Sequence, residues 1–136
     1  MRDTLDDLDD QFKRLIEMSV QRGLALDAGR VRKANRIFED RANLSRELLA
    51  YGTPFRELVL KNMKHEDPHV RSWLAFLALE FAPDDAEAVL EQLSADFQHQ
   101  GVRNPMALHI GFSSEMTLKL FRSGELSLFT SWRANR

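Results

Sequence analysis

The fold class is decided by residues 67–81, which read DPHVRSWLAFLALEF. Asp67 followed by Pro68 predicts a helix start, because an aspartate side chain accepts hydrogen bonds from the first free N–H groups and proline suits the first helical position. From Pro68 to Phe81, apolar residues occupy nearly every face of the predicted helix. A helix of that kind is buried on all sides, so we expect it in the middle of a helical domain.

The N-terminal half shows helical periodicity in two segments and then a further helix start. The first helix is predicted to begin at a Thr4 cap and to stop near Gly29. The second is predicted over residues 30–51, with Gly52 as the left-handed residue that ends it. Thr53-Pro54 then repeats the pattern of a capping side chain before proline and predicts the third helix.

The C-terminal half contains two more predicted helices. Pro83-Asp84 opens the fifth helix, and the sixth is predicted to start at Ser113 or Ser114 and to end at Gly124. Glycine and proline breakers predict an irregular loop over residues 99–111. The segment 125–136 is predicted to be a tail that either packs on the core or frays.

These patterns predict one all-α domain over residues 1–136, built from five or six helices in antiparallel hairpins. A chain of 136 residues fits a single domain and can bury about two-thirds of its unfolded surface. Hydrophobic residues make up 43% of the chain and charged residues 29%, which is ordinary for a globular domain. The helices therefore have enough apolar surface for one core.

Composition excludes several classes of protein. The chain has no cysteine, which excludes disulfides, thiolate metal sites and a cysteine nucleophile. Its first residues are acidic and amphipathic, whereas a signal peptide has a basic start and an apolar core. The longest apolar run, residues 73–79, has seven residues, where a membrane-spanning helix needs about twenty. We expect a cytoplasmic protein without a membrane segment or a cofactor.

Charge is unevenly distributed along the chain. Residues 1–20 carry six acids and three bases, and residues 21–50 carry seven bases and four acids. Acidic Asp6, Asp7 and Asp10 and basic Arg36 are therefore candidate contacts for a partner of patterned charge. The simpler alternatives are a solvated helix start for the acids and, for the bases, pairs one helical turn apart such as Arg36 with Asp40. Because acids interrupt the basic set, nucleic acid is not the expected partner.

One motif resembles that of an enzyme. His65-Glu66-Asp67-Pro68-His69 matches the H-E-x-x-H pattern of zinc peptidases, in which two histidines on one helix bind the metal and the glutamate is the general base. Pro68 opposes this reading, since it disrupts a continuous helix through the motif and favours a helix start. We therefore predict a charged turn between two helices, and no metal ligand.

The segment Asp67–Arg71, followed by small and large apolar residues, resembles a HEAT repeat. A longer series of matches over about residues 5–126, including Lys33-Ala34-Asn35-Arg36-Ile37-Phe38, resembles an uncharacterised bacterial family, the domain of unknown function numbered two thousand and nineteen. The resemblance implies an α-α superhelix of HEAT- or ARM-like hairpins and implies no activity. It also implies a structural role for Arg71, which would brace the hairpin through Asp67. Asn35 lies mid-helix beside inner positions, so we expect its amide to bond a neighbouring turn or helix end; the alternative is a polar contact in a groove.

The absence of a catalytic constellation and the patterned charge favour a non-enzymatic protein-binding module, for example an immunity or adaptor protein. The partner is not identified by the sequence, and we expect a monomer or a weak homodimer. The alternative is a HEAT-like binder or enzyme of DNA lesions, which would bind duplexes in a salt-dependent way. A zinc metallopeptidase is the third reading, disfavoured by Pro68.

Overall fold

The structure, a computed structural model, describes residues 2–98 and 105–124. It contains six α-helices in this order: α1 (Arg2–Asp27), α2 (Val31–Leu49), α3 (Thr53–Asn62), α4 (Pro68–Ala78), α5 (Pro83–Gln98) and α6 (Pro105–Arg122). No strand is present in the described ranges. The predicted all-α class of packed helical hairpins is confirmed, while the repeat type stays a prediction. No helix among the described residues has both the length and the apolar character that crossing a membrane requires.

The start of α4 is as predicted. Asp67 is its N-cap, and its side-chain Oδ1 accepts a hydrogen bond of 2.8 Å from the backbone N–H of His69. Pro68 occupies the first turn, where backbone N–H groups have no partner within the helix, so the N–H that proline lacks costs no hydrogen bond. The helix ends at Ala78, three residues before the predicted Phe81, and Leu79 is its C-cap.

The other helix starts differ in detail from the predictions. Thr4 lies inside α1, so the predicted cap there is wrong. Gly52 has the predicted left-handed conformation, with φ of 73°, but it also serves as the N-cap of α3. Thr53 is therefore the first residue of that helix, and its hydroxyl does not cap it. One glycine ends α2 and begins α3 because its backbone reaches conformations that other residues avoid.

The predicted irregular loop over 99–111 is partly wrong. Residues 105–111 are helical, and α6 begins at Pro105 rather than at Ser113 or Ser114. Proline at a first helical position favours this earlier start, and Gly111 is tolerated inside the helix at a modest loss of stability. Residues 99–104 and the predicted tail 125–136 lie outside the described residues.

The core forms around α4, as its all-round apolar sequence predicts. This helix packs against α1, α3, α5 and α6, while α1 pairs with α2 and α5 pairs with α6. Most of its residues are buried, including Val70, Leu74 and Leu77, each no more than 1% exposed. Because α4 touches four other helices, its polar and aromatic residues are placed where several helices meet.

Candidate functional site: an arginine–tryptophan pocket

A pocket of about 280 Å³ opens where α1, α2, α4 and α6 converge. We call it the arginine–tryptophan pocket, and it is lined by Arg22, Phe38, Arg41, Ser72, Trp73, Phe76, Ser113 and Thr117. The lining combines two cations, three aromatic rings and three hydroxyl groups. Among the described residues no carboxylate lines it, so these walls do not neutralise its positive charge.

Arg41 is the most unusual residue of the pocket, because it is a charged side chain only 3% exposed. Its guanidinium carbon lies over the Trp73 ring, 3.9 Å from the centroid, and 5.5 Å from the centroid of Phe38. Its Nη1 donates a hydrogen bond of 3.3 Å to the hydroxyl of Ser19. Cation–π attraction and this one neutral acceptor compensate part of what burial of the charge costs.

No carboxylate within the described residues forms an ion pair with Arg41, and its buried Nε–H has no hydrogen-bond acceptor there. The second cation, Arg22, also has a buried Nε without an acceptor, and its guanidinium lies 5.2 Å from the Phe38 centroid. Burial lowers the pKa of Arg41 well below its usual value, and the charge of Arg22 lowers it further. Burial lowers the pKa of Arg22 as well. Both directions show cations short of negative charge.

Hydrogen bonds hold the rings of the pocket in place. Trp73 Nε1 donates to the hydroxyl of Ser45 at 3.0 Å, and that hydroxyl donates to the backbone carbonyl of Arg41 at 2.8 Å. Trp73 also stacks on Phe76 at 5.0 Å and meets Phe38 edge to face at 5.7 Å. The tryptophan indole is thereby fixed from two helices, so the surface under Arg41 is rigid.

A close approach of α4 to α1 brings Arg22 to the α4 side of the pocket. Gly23, the neighbour of Arg22, faces His69, and a Cβ atom at this glycine would come 2.2 Å from the imidazole Cδ2. No side chain fits at such a distance, so glycine is required for the helices to approach this closely. Residues one turn further along α4, Ser72 and Trp73, then lie beside Arg22.

This arrangement can bind an anion. Guanidinium N–H groups and serine or threonine hydroxyls are hydrogen-bond donors, and the rings supply apolar surface. The pocket is therefore suited to recognising a group that carries negative charge next to an apolar body.

The sequence predictions missed this site. By charge alone, Arg41 is one of the seven bases of residues 21–50, whose pairing with acids one turn away is the simpler expectation. A signal was present: Phe38, Arg41 and Ser45 recur at the three- and four-residue steps of one helix face, and that face is the inner one. A charged residue within an apolar stripe is unusual enough to mark a site. The partners of Arg41 on α1 and α4 carry no such signal in the sequence.

The H-E-x-x-H motif does not lie on one helix. His65 precedes α4, and its Nδ1 accepts a hydrogen bond of 3.0 Å from the backbone N–H of Asp67. His69 lies in the first turn of α4, buried against Gly23. No group of three or more histidine, aspartate or glutamate side chains in the described part of the chain is arranged to hold a metal ion. The predicted helix start at Pro68 is thus what separates the two histidines.

The candidate partner contacts Asp6, Asp7, Asp10 and Arg36 are all exposed, but they do not form one site. Asp7 accepts a hydrogen bond of 2.9 Å from the hydroxyl of Tyr51, and this bond raises the pKa of that tyrosine. Asp7 therefore lies beside the end of α2, because α1 and α2 are antiparallel. Arg36 is roughly 20 Å further along the hairpin, at 1.5 Å per helical residue.

The structural roles expected for Asn35 and Arg71 are not found. Asn35 is exposed on α2 and bonds no turn or helix end among the described residues, because it lies to the side of the inner stripe and faces solvent. Arg71 forms no ion pair with Asp67, whose carboxylate instead accepts hydrogen bonds from the backbone at the start of α4. Arg71 lines a separate, mainly apolar depression of about 400 Å³ between α3, α4 and α5.

A larger depression of about 720 Å³ lies between α5 and α6. Its main cation, Arg122, is bound by Glu91 and lies 3.6 Å from Glu87, so the charges are mutually satisfied. This leaves the arginine–tryptophan pocket as the strongest candidate site. The resemblance to a HEAT-like bacterial family stays a prediction. When the chain was compared with known proteins, no family model, no curated protein and no solved structure matched it.

Proposed function

We propose that the protein is a non-enzymatic binding module for a protein partner, and that it takes an anionic group of this partner into the arginine–tryptophan pocket. The observation that carries the proposal is Arg41, a buried cation without a carboxylate within the described residues. Removing a charge from water is strongly unfavourable unless an opposite charge accompanies it. An incoming anion would supply that charge.

The size of the pocket supports a small guest. Pockets for small molecules usually enclose about 300–1,000 Å³. At about 280 Å³ this pocket is at the lower limit of that range, which suits one residue of a partner or a molecule of similar size. A flipped or stacked series of nucleotides would need more room. The anionic group would therefore act as a single anchor within a wider contact.

Exposed residues at the turn between α1 and α2 support a wider contact with a protein. Leu24 and Val31, on either side of the turn between α1 and α2, are 57% and 59% exposed. Arg30, Arg32 and Lys33 are exposed around them. Apolar side chains ringed by cations suit a partner surface that is apolar with an acidic rim. An immunity or adaptor role is a specific form of this proposal.

The first experiment measures whether anions bind and where. Thermal unfolding at low ionic strength is followed with acetate, benzoate, phosphate and sulfate, using the wild type and Arg41→Met. At least one of these anions is expected to raise the unfolding midpoint of the wild type and to leave that of Arg41→Met unchanged, because a ligand stabilises only the state that binds it. Arg32→Met, an exposed change of equal charge on the same helix, is the control and should respond like the wild type.

Two outcomes would refute the proposal. If none of the anions raises the unfolding midpoint of the wild type, the pocket is not an anion site. If Arg41→Met responds as strongly as the wild type, the anions bind elsewhere. The protein partner is tested in the native host, where a reproducible partner should be recovered by the wild type and Arg32→Met and be lost with Arg41→Met.

A DNA-binding role is the second candidate, favoured by the exposed cations at the start of α2, namely Arg30, Arg32, Lys33 and Arg36. It predicts duplex binding that weakens steeply with salt, because bound counterions are released from the phosphates. A titration with duplex DNA that stays flat at low salt would remove this candidate. Charge reversal at Arg36 should abolish any such binding without affecting the response of the pocket to small anions.

A further inference from the structure

We infer that the pocket recognises a monocarboxylate joined to an aromatic or other apolar body, as in the C-terminal residue of a protein or a free aromatic acid. This inference rests on the proposed function, since it names the chemistry of the anion that the pocket accepts. Four features of the pocket carry it: the number of buried charges, the source of the donors, the geometry of the donors and the nature of the walls.

The buried charge matches one negative charge. Arg41 is almost completely buried, whereas Arg22 is only half-buried and its charge is partly solvated. A monoanion would neutralise the buried Arg41, while the partly solvated Arg22 would add a second donor at the rim. A dianion would have to surrender more hydration than the pocket returns, because only one of the two cations is fully removed from water.

The donors of the pocket are side chains, because the backbone N–H groups of the described residues that line it or begin α4 are already bonded. Phosphate sites typically use the free N–H groups at a helix N-terminus. The N–H groups at the start of α4 are already occupied: those of His69 and Val70 donate to the Asp67 side chain, and that of Arg71 to the Asp67 carbonyl. The lining residues Ser113 and Thr117 lie well inside α6, where N–H groups bond within the helix.

The available donors suit a planar carboxylate. A guanidinium presents parallel N–H groups that can bind both oxygens of a carboxylate. Arg41 donates only through Nη1, to Ser19, and Arg22 makes no hydrogen bond within the described residues. Because the Nε–H groups of both arginines are covered, the outer N–H groups near Phe38 are the donors left for a ligand. The hydroxyls of Ser72 and Thr117 on the opposite helices can complete the remaining hydrogen bonds.

The walls supply an apolar surface for the rest of the ligand. Phe38, Trp73 and Phe76 line the pocket, and the hydrogen bond from Trp73 to Ser45 holds the central ring rigid. Rigid aromatic walls favour an aromatic or branched apolar group. Acetate alone would leave these walls uncovered, so the apolar body should contribute as much to binding as the carboxylate does.

The test measures binding of matched probes by the fluorescence of Trp73. The chain has two tryptophans, so Trp132 is replaced by phenylalanine to leave Trp73 as the single source of the signal. The probes are N-acetyl-phenylalanine, its neutral amide, phenyl phosphate and acetate. N-acetyl-phenylalanine is expected to bind about tenfold or more tightly than the amide, which lacks the charge, and than acetate, which lacks the ring. It should also bind more tightly than phenyl phosphate, which has a ring and a second negative charge.

The outcomes distinguish failure of this inference from failure of the proposed function. Tighter binding of phenyl phosphate would overturn the inference and leave an anion site in place. If no probe binds, both the inference and the proposed function are overturned. A short peptide that ends in phenylalanine with a free carboxylate, compared with its amidated form, distinguishes the two sources: much tighter binding than the free acid indicates a partner C-terminus, and equal binding indicates a free acid.

Two variants localise the site. Arg41→Met should lose the discrimination between acid and amide, and circular dichroism checks that it is folded. Arg22→Met, a change at a less buried residue, should weaken binding of the acid and leave the helix content unchanged. The test therefore does not depend on one variant. If both variants keep the full preference for the acid, the carboxylate binds outside the pocket and the inference fails.

Discussion

Arg41 and Arg122 are the same kind of residue in opposite surroundings. Arg122, at the end of α6, has a side chain that is 50% exposed and bound by Glu91, with Glu87 at 3.6 Å. These carboxylates raise its pKa. Arg41 is buried among rings and a serine hydroxyl, and its pKa is lowered. The first cation has its counter-charge within the protein, and the second does not.

This difference indicates which of the two arginines is expected to have a function beyond stability. A surface ion pair such as that of Arg122 contributes little to stability and is easily replaced. A buried cation without an acid reduces stability, so a chain that keeps one is expected to use it. The three predictions below test this contrast, from the largest expected effect to the smallest.

Trp73→Ala should have the largest effect, because this ring supports Arg41 and fills the centre of four helices. Trp73 is only 6% exposed, and its loss is expected to reduce the free energy of unfolding by about 3–5 kcal/mol. Urea unfolding measures the change. Trp73→Phe keeps a ring beneath the guanidinium and should lose less stability than Trp73→Ala. If Trp73→Ala were as stable as the wild type, the ring would not be what supports the buried charge.

Ser45→Ala should have an intermediate effect. It leaves the buried Nε1–H of Trp73 without its acceptor, which is expected to reduce the free energy of unfolding by about 1–3 kcal/mol. The tryptophan near-ultraviolet circular dichroism should change as the ring loses its fixed position. Ser94→Ala on α5, which removes a hydroxyl that makes no such bond, is the control. An unchanged Trp73 signal in Ser45→Ala would contradict the role assigned to this hydrogen bond.

Arg41→Met should have the smallest effect and the opposite sign. Methionine fills a similar volume without a buried charge, so the ligand-free protein is expected to gain about 1 kcal/mol of stability. Equilibrium unfolding at low ionic strength measures this gain. Arg122→Met removes a solvated pair and should leave the unfolding midpoint nearly unchanged. A clear loss of stability in Arg41→Met would mean that its charge is already compensated within the protein.

Most of the helix pattern could be predicted from the sequence. Residues that act on their own neighbours were interpreted correctly, as with Pro68, which starts α4, and Gly52, which ends α2. The errors arose where two local signals competed. At residues 105–111 the breakers Pro105 and Gly111 predicted a loop, but proline begins a helix as readily as it ends one, and packing against α5 favours the helix.

The candidate site could not be predicted in the same way. The residues chosen from charge pattern, Asp6, Asp7, Asp10 and Arg36, are spread along the α1–α2 hairpin. Asn35, chosen from its position on the helix, and Arg71, chosen from the resemblance, do not make the contacts expected of them. Exposure and partner choice depend on which helix faces meet, and helical periodicity alone does not specify how hairpins pack.

The sequence by itself determined the all-α class, the helix start at Asp67-Pro68 and the separation of His65 from His69, because each of these depends on backbone geometry within a few residues. Only the tertiary structure decided that Arg41 is buried. Its environment comes from Ser19 on α1 and Trp73 on α4, which lie far from it in sequence. The energy of a charge depends on what surrounds it in space, and that surrounding exists only once the helices have packed.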